Sequence, residues 1–400
     1  MNILFFYSHP FNPSNGGIER VTDCITRSLL DSGDYKVFHM CGHTHKIESL
    51  QFESPVIQYC LPYDGLFFNT NNVDFFLSFV QDHNIDVVVN QGGAWTYMNN
   101  ILGRGDCKYI SVIHCAPRLD IVQFKANYFI LEKSLKGYCK WFLKLLLYPI
   151  YGMYLRHQII RRVREHYNTI VRKSDLIVVL SKYYISELES YIGLKSNKIC
   201  CINNPNSLPP TNVNYSNKDK VVLYVGRLDA FQKQPKELLK VWRKIYKDCK
   251  DWKLVLVGDG DNRTALENYV RCHKLDRVYF EGQIDNVEEY YNKASILCLV
   301  SRIEGQPMVL TEGMGRGCVP ISYDSYGAVY DIIEDGVDGY IIPYKDTGAY
   351  ARALKNLMAN SKLRNGMAQA AHNKVKQFSL DKIVSDWTKT IKDLMGNHCV

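Results

Sequence analysis

The run Ser301-Arg302-Ile303-Glu304-Gly305-Gln306-Pro307-Met308-Val309-Leu310-Thr311-Glu312 follows a buried-looking apolar stretch and carries two carboxylates with seven residues between them. It places Glu304 in a loop and Glu312 in a helix. Proline suits the first helical position, so Pro307 predicts a helix start with the amides of Met308, Val309 and Leu310 free to face an anion. Two acids flanking such an amide group could grip hydroxyl groups on either side of that anion; a chance acidic pair is the alternative. Gly226, Arg227, Leu228 and then Lys233 stand directly after another apolar run, so two cations leave a strand end together. Such a pair suits a diphosphate, against the simpler reading of a surface pair in a strand-to-helix loop.

Gly16 and Gly17 open a helix whose apolar stripe is Ile18, Val21, Ile25 and Leu29, with Gly33 as its stop. Amides at such a start can hold an anion, glycine lets a phosphate or sugar approach, and Arg20 adds charge in the first turn. A turn of purely structural purpose is the competing account. His114 ends a strand-like run at a predicted sheet edge, where a polar group can contact a bound sugar; a hydrogen-bonded core histidine is the other reading.

These residues need a scaffold, and the chain predicts one. Strand-like runs alternate with helical periodicity throughout, the pattern of βα units building parallel sheets covered on both faces. One series has candidate strands at 2–7, 36–40, 86–90, 109–114, 176–180 and 198–202. A polar stretch at 203–220, holding Pro205, Pro209, Pro210 and several asparagines, reads as a linker. A second series has candidates at 221–225, 253–257, 278–280, 296–300, 319–323 and 340–342, with helical patterns at 235–246, 350–358 and 380–394. The prediction is therefore an α/β protein of two doubly wound domains, 1–204 and 205–379, followed by a C-terminal helix at 380–400 that packs back toward the first. Ligands in open α/β sheets sit outside the carboxyl ends of the strands, so the tandem implies a cleft.

At 400 residues and 46% hydrophobic the chain can bury real cores. Its thirteen cysteines include no CxxC, which points to free thiols in a reducing cytosol rather than to a disulfide framework or zinc site. The first apolar run is too short for a signal peptide, and none approaches the ~20 residues of a membrane-spanning helix. Charge is unevenly placed. From Arg118 to Lys173 there are twelve basic against three acidic side chains, a net +9, while the whole chain carries +8, so the remainder is close to neutral. Lys136, Lys140 and Lys144 recur every four residues beside Trp141, Phe142, Leu143, Leu145, Leu146 and Leu147. That pattern fits a helix in an anionic interface as well as a solvated basic helix over a core. No RNA- or DNA-binding motif accompanies the charge.

Taken together and in order, these motifs resemble the family 4 glycosyltransferases, retaining enzymes of the GT-B fold with two Rossmann-like domains facing across a cleft, over nearly the whole chain. The family's glycine-rich first loop is similar to Asn15-Gly16-Gly17-Ile18-Glu19-Arg20, its strand-end histidine to His114, and its Gly-Arg-Leu with downstream lysine to Gly226, Arg227, Leu228 and Lys233. Its glutamate pair falls on Glu304 and Glu312, and Val257-Gly258-Asp259-Gly260 is similar to a family turn. Two positions depart: Lys233 follows Arg227 by six places rather than five, and Gln306-Pro307 replaces a commoner Phe-Gly.

The resemblance implies that Arg227 and Lys233 neutralise a leaving diphosphate and that Glu312 holds the ribose. Glu304, with the backbone of Gly305, Gln306, Pro307 and Met308, faces the donor sugar, His114 lies on its other side, and Gly282, Gln283 and Ile284 border the base. It implies a hexosyltransferase-type enzyme without cofactor or metal, although Asp259-Gly260-Asp261 formally offers an Asp-x-Asp. The donor is a nucleotide-diphosphate sugar, most commonly of UDP in that family. The expected acceptor is a saccharide, lipid-linked, in surface polysaccharide or lipopolysaccharide synthesis. The segment from Lys133 to Arg164 is expected to meet the anionic inner face of the cell membrane, making the protein cytoplasmic and peripheral. A GT-B epimerase or hydrolase acting on a soluble sugar nucleotide is the alternative, and a non-catalytic binding module would have no need of the whole residue set.

Overall fold

The computed structural model describes residues 1–13, 16–43, 55–93, 96–128 and 135–396. The chain divides into two compact units, Met1–Asn203 with Leu380–Val400, and Asn204–Ser379.

The first unit runs β1 (Asn2–Tyr7), α1 (Gly17–Asp31), β2 (Lys36–Cys41), β3 (Gln58–Cys60), α2 (Thr70–Asp82), β4 (Val87–Asn90), β5 (Lys108–Ile113), α3 (Leu119–Tyr128), α4 (Leu135–Leu147), α5 (Met153–Lys173), β6 (Leu176–Val179), α6 (Lys182–Ile192) and β7 (Ile199–Cys201). Its seven strands are all parallel, in the order β3-β2-β1-β4-β5-β6-β7. The central strands are nearly continuous Val, Ile, Leu and Phe because helices cover both faces of such a sheet. Connectivity reverses between β1 and β4, which makes their carboxyl ends the switch point. The three-residue β3 was absent from the expected strands: it is a half-buried edge strand, too short to show a period.

The second unit runs β8 (Asp219–Val225), α7 (Pro235–Ile245), β9 (Lys253–Val257), α8 (Arg263–Cys272), β10 (Val278–Gly282), α9 (Glu288–Lys293), β11 (Ala294–Leu299), α10 (Met308–Gly315), β12 (Val319–Asp324), α11 (Val329–Ile332), β13 (Tyr340–Pro343), α12 (Thr347–Ala359) and α13 (Ser361–Lys374). The parallel order is β10-β9-β8-β11-β12-β13, with the switch between β8 and β11. Helix α7 buries Leu238, Leu239, Val241, Trp242 and Ile245 while its lysines face water, and Trp242 donates its indole N–H to the Asp276 carbonyl at 3.0 Å. Such a ring buries enough apolar area to dominate the local core. The last helix, α14 (Leu380–Gly396), belongs to the first unit and packs on α1 through a stripe that includes Ile383, Trp387 and Ile391.

The polar stretch at 203–220 is not the loose linker its composition suggests. Its asparagines and serines bond into the second unit: the Asn204 N–H reaches Gln306 Oε1 at 2.5 Å, Asn206 Nδ2 reaches the Thr311 carbonyl at 3.1 Å, and Ser207 Oγ reaches Glu312 Oε1 at 2.7 Å. Side chains that mark turns in a sequence are equally able to satisfy backbone groups across a packed surface.

Candidate functional site

In the second unit, the candidate residues collect at the carboxyl ends of β8 and β11. After β8 the chain turns sharply at Gly226 (φ 150°), and Asp229 Oδ1 accepts the N–H groups of Phe231, Gln232 and Lys233 at 3.0, 2.6 and 3.3 Å. This side-chain turn aims Gln232 and Lys233 back toward the sheet. The Arg302 N–H donates to the Gln232 carbonyl at 2.7 Å, and the Arg302 guanidinium lies 4.9 Å from the Phe231 ring centre, so the β8 and β11 loops are tied together.

Within that frame Lys233 Nζ donates to Glu304 Oε1 at 2.7 Å, Gln232 Nε2 donates to Glu304 Oε2 at 3.4 Å, and Arg227 Nη2 donates to Gln232 Oε1 at 3.0 Å. Arg227 is exposed, whereas the Glu304 and Lys233 side chains retain only 7% and 16% exposure. Glu312 accepts Ser207 Oγ at 2.7 Å and Tyr291 Oη at 2.9 Å, one on each carboxylate oxygen. Arg227, Lys233 and Glu304 are thus joined through Gln232 at the carboxyl ends of β8 and β11, and Glu312 lies in α10, the helix that follows the Glu304 loop. The arrangement can bind an anion through the cations and hydroxyl groups through the acids.

Two expectations at α10 need correction. Pro307 is the N-cap (φ −74°, ψ 100°) rather than the first helical residue, so the helix begins one position later, at Met308. The Leu310 N–H consequently donates to the Pro307 carbonyl at 3.1 Å and is not free for an anion, while its side chain is fully buried. Gln306, whose backbone rather than side chain was expected at the donor sugar, presents its amide to the Asn204 backbone, Oε1 accepting at 2.5 Å and Nε2 donating at 3.5 Å, so its side chain joins two chain segments. Gly305 and Val309 are half-buried beside it. Gly282 ends β10 at φ 78° with Gln283 exposed and Ile284 half-buried after it.

Beneath these loops the backbones touch. A Cβ on Gly258 would overlap the Gly226 carbonyl oxygen, and Gly258 itself has φ 128°. Asp259 of the Asp-x-Asp accepts Arg263 Nη1 at 3.0 Å and its neighbouring Gly260 N–H at 2.7 Å. Among the described residues no group of three His, Cys, Asp or Glu is placed to hold a metal ion.

In the first unit, His114 follows β5 and its Nε2 meets Gln91 Oε1 at 2.5 Å; Gln91 Nε2 donates to Thr22 Oγ1 at 3.0 Å, and Thr22 Oγ1 donates to the Ile18 carbonyl at 2.9 Å. Burial lowers the His114 pKa to about 4, against a smaller opposing pull from Glu19. The ring is therefore neutral near pH 7, and the amide oxygen places its proton on Nε2.

Gly16 caps α1, but the space before it is taken. A Cβ there would lie 2.9 Å from Glu19 Oε2, and Arg20 is exposed. Glu19, buried in the first turn, pairs with His9 Nε2 at 2.8 Å. The helix start thus faces a carboxylate of the chain itself, where an external anion was expected. Burial pushes the Glu19 pKa up, but the hydrogen bonds from His9 and from its own backbone outweigh this and hold it below the ordinary carboxylate value. Glu19 and His9 were not among the expected site residues. A carboxylate one turn inside a helix after Gly-Gly was the available signal, because acids favour that position.

The fold is GT-B. Over 99% of this chain and 100% of theirs, the coordinates superpose on sucrose-phosphate synthase from Thermosynechococcus elongatus with a TM-score of 0.75 at 18% identity. Anabaena HepE, solved in complex with UDP, matches 98% of this chain and 100% of its own with a TM-score of 0.73 at 15% identity. At such identities the likeness concerns the fold. Residues 211–374, within the second unit, match the Glycosyl transferases group 1 family model. Among curated relatives, the amylovoran biosynthesis glycosyltransferase AmsD of Erwinia amylovora is 30% identical over 236 residues, 56% of this chain and 66% of that protein. The GalNAc-alpha-(1->4)-GalNAc-alpha-(1->3)-diNAcBac-PP-undecaprenol alpha-1,4-N-acetyl-D-galactosaminyltransferase of Campylobacter jejuni is 33% identical over 178 residues, 44% of this chain and 49% of that protein. The matched stretches span about half to two thirds of those relatives.

Proposed function

We propose that the protein is a retaining, metal-independent glycosyltransferase of family 4, moving a hexosyl group from a UDP-sugar to a lipid-linked saccharide in surface polysaccharide or lipopolysaccharide synthesis. The observation that carries the reading is the linkage of Arg227, Lys233 and Glu304 through Gln232 at the β8/β11 switch point, in the stretch that matches the Glycosyl transferases group 1 family model and just before the helix that holds Glu312. The relatives named for amylovoran synthesis and for an undecaprenol-linked acceptor support the substrate class, and the UDP complex of a structural neighbour supports the base.

Chemistry follows from charge. As the bond from the anomeric carbon to the diphosphate breaks, its electron pair leaves on the phosphate oxygen and the sugar becomes oxocarbenium-like. Cations already in place stabilise that charge more in the transition state than in the ground state. Arg227 and Lys233 supply them, with the Met308 and Val309 amides at the α10 start. Glu304, released from Lys233 when phosphate takes the ammonium, is left to accept a sugar hydroxyl, and Glu312 accepts the ribose. His114, neutral and with its Nε2 proton held by Gln91, leaves Nδ1 to accept a hydroxyl group at the carboxyl end of β5.

Membrane attachment fits the surface formed by α4, the π-helical turn after it and the first residues of α5. Leu146, Ile150, Tyr151, Met153 and Tyr154 are exposed, Ile150 by 80%, alongside the exposed Lys140 and Arg156. Apolar side chains flanked by cations are what an anionic bilayer surface takes up, and a soluble sugar-nucleotide epimerase would have no use for them. No helix among the described residues is long and apolar enough to cross a membrane. The proposed contact extends from Lys133 to Arg164; Lys133 lies outside the described residues.

The test is calorimetric binding of UDP, GDP, ADP and their sugar conjugates, with EDTA present, to wild type and to the Arg227→Ala, Lys233→Ala double variant. Selective binding of one nucleotide, lost in the double variant, supports the donor site. Binding by none of them refutes it.

A further inference from the structure

Glu312 sits on α10 with a hydroxyl on each of its two carboxylate oxygens, and the donors come from parts of the chain far apart in sequence. Ser207 Oγ reaches Oε1 at 2.7 Å from the segment that precedes β8; Tyr291 Oη reaches Oε2 at 2.9 Å from α9. Both donors are themselves held. The Tyr291 ring is 1% exposed and its carbonyl accepts Lys218 Nζ at 2.8 Å. Ser207 is one residue from Asn206, whose Nδ2 is anchored on the Thr311 carbonyl at 3.1 Å. A glutamate side chain has three torsions to fix, and a carboxylate offers about four acceptor positions. Two clamped hydroxyl donors, one per oxygen, set the plane and rotation of the group.

We propose that Ser207 and Tyr291 are positioning residues of the nucleotide site: they fix the Glu312 carboxylate so that it reads the vicinal hydroxyl pair of a ribose. This rests on the donor-site reading above and adds to it two residues that touch the glutamate rather than the ligand. A vicinal diol needs both acceptor oxygens at set places, whereas a single hydroxyl follows a mobile carboxylate. Loss of either clamp therefore costs discrimination between ribose and deoxyribose more than it costs phosphate binding.

The experiment is calorimetric titration with UDP and with 2′-deoxy-UDP, repeated with the GDP and ADP pairs, on wild type, Ser207→Ala, Ser207→Thr, Tyr291→Phe and Glu312→Gln. The phenylalanine keeps the buried ring, and threonine restores the hydroxyl. The expected result is a wild-type preference for the ribonucleotide that Glu312→Gln abolishes. Ser207→Ala and Tyr291→Phe should each reduce it by about 5- to 10-fold, the weight of one hydrogen bond, and Ser207→Thr should recover it. If Glu312→Gln loses the preference while Ser207→Ala and Tyr291→Phe keep it, the positioning role is overturned and the ribose role of Glu312 stands. If Glu312→Gln keeps the preference, or no nucleotide binds wild type, the donor-site reading itself fails and this inference falls with it.

Discussion

Lys233 and Glu304 form an ion pair at 2.7 Å with both side chains largely withdrawn from water. Removing one member of such a pair strands the other charge and costs more than the pair contributes. Lys233→Ala is therefore expected to lower stability by about 3 kcal/mol. Adding Glu304→Gln should return part of that loss, since the stranded carboxylate is gone. Denaturant melts of the two singles and the double give the coupling; additive effects would show that the pair is not a unit.

The same lysine is expected to matter for ligand binding. Each charge-assisted contact to phosphate is worth about 1.5–3 kcal/mol, so Arg227→Ala and Lys233→Ala should each weaken nucleotide-diphosphate affinity by roughly 10- to 150-fold. Nucleosides lacking phosphate should bind both variants as they bind wild type. An equal loss for nucleoside and nucleotide would place these cations away from the diphosphate.

Chelation should leave transfer unchanged. Asp259 is engaged by Arg263 on Oδ2 and by the Gly260 N–H on Oδ1, and Asp259→Asn removes the charge while keeping an acceptor oxygen for one of the two donors. The expected outcome is equal initial rates with EDTA and with added magnesium, for wild type and for Asp259→Asn. A rate that collapses in EDTA and returns with magnesium would replace cation-assisted departure of the diphosphate by metal catalysis.

His114 carries a stability signature in pH. Its folded pKa of about 4 lies below the ordinary 6.5, so the unfolded chain binds the extra proton between those values. The contribution is complete above pH 6.5 and is lost as pH falls toward 4, at most about 3 kcal/mol for one group shifted this far. His39, buried and also lowered to about 4, adds to the slope in the same window. Melting temperature should therefore fall between pH 6.5 and 4, and less steeply in His114→Gln, which keeps a donor for Gln91. An unchanged slope would mean that His114 titrates normally.

Flotation with phosphatidylglycerol–phosphatidylethanolamine vesicles separates the two parts of the exposed basic face. Changing Lys140 and Arg156 to Gln should weaken binding at low salt by about fivefold per residue, following the ~1 kcal/mol that each cation contributes near an anionic surface. Ile150→Ser with Tyr151→Ser should weaken it at every salt concentration. Wild type that stays unbound at low salt would remove the membrane from the proposal.

Much of this was legible in the sequence because parallel strands buried on both faces read as unbroken apolar runs. Strands 2–7 and 253–257 coincide with β1 and β9, and the loops after β8 and β11 lie where Arg227 and Glu304 were expected. What stayed hidden is long-range hydrogen bonding by polar residues. Asn204, Asn206 and Ser207 have the composition of a linker, and nothing local states that their partners lie about a hundred residues on, at Gln306, Thr311 and Glu312. The α10 start shows a subtler limit. Proline is acceptable both as cap and as first helical residue, and the difference of one position decides whether the Leu310 amide is free.

The close approach of Gly258 to Gly226 bears on how the proposed donor site could be retuned. The floor under the β8 loop is main chain against main chain, with no side chain to shorten or exchange. Directed evolution there would return misfolded variants, since any added carbon displaces the loop that carries Arg227 and Lys233. In the proposed donor site, changes of sugar or base preference are instead open at Gln283, Ile284 and Val309, whose side chains lie outside the fully buried core.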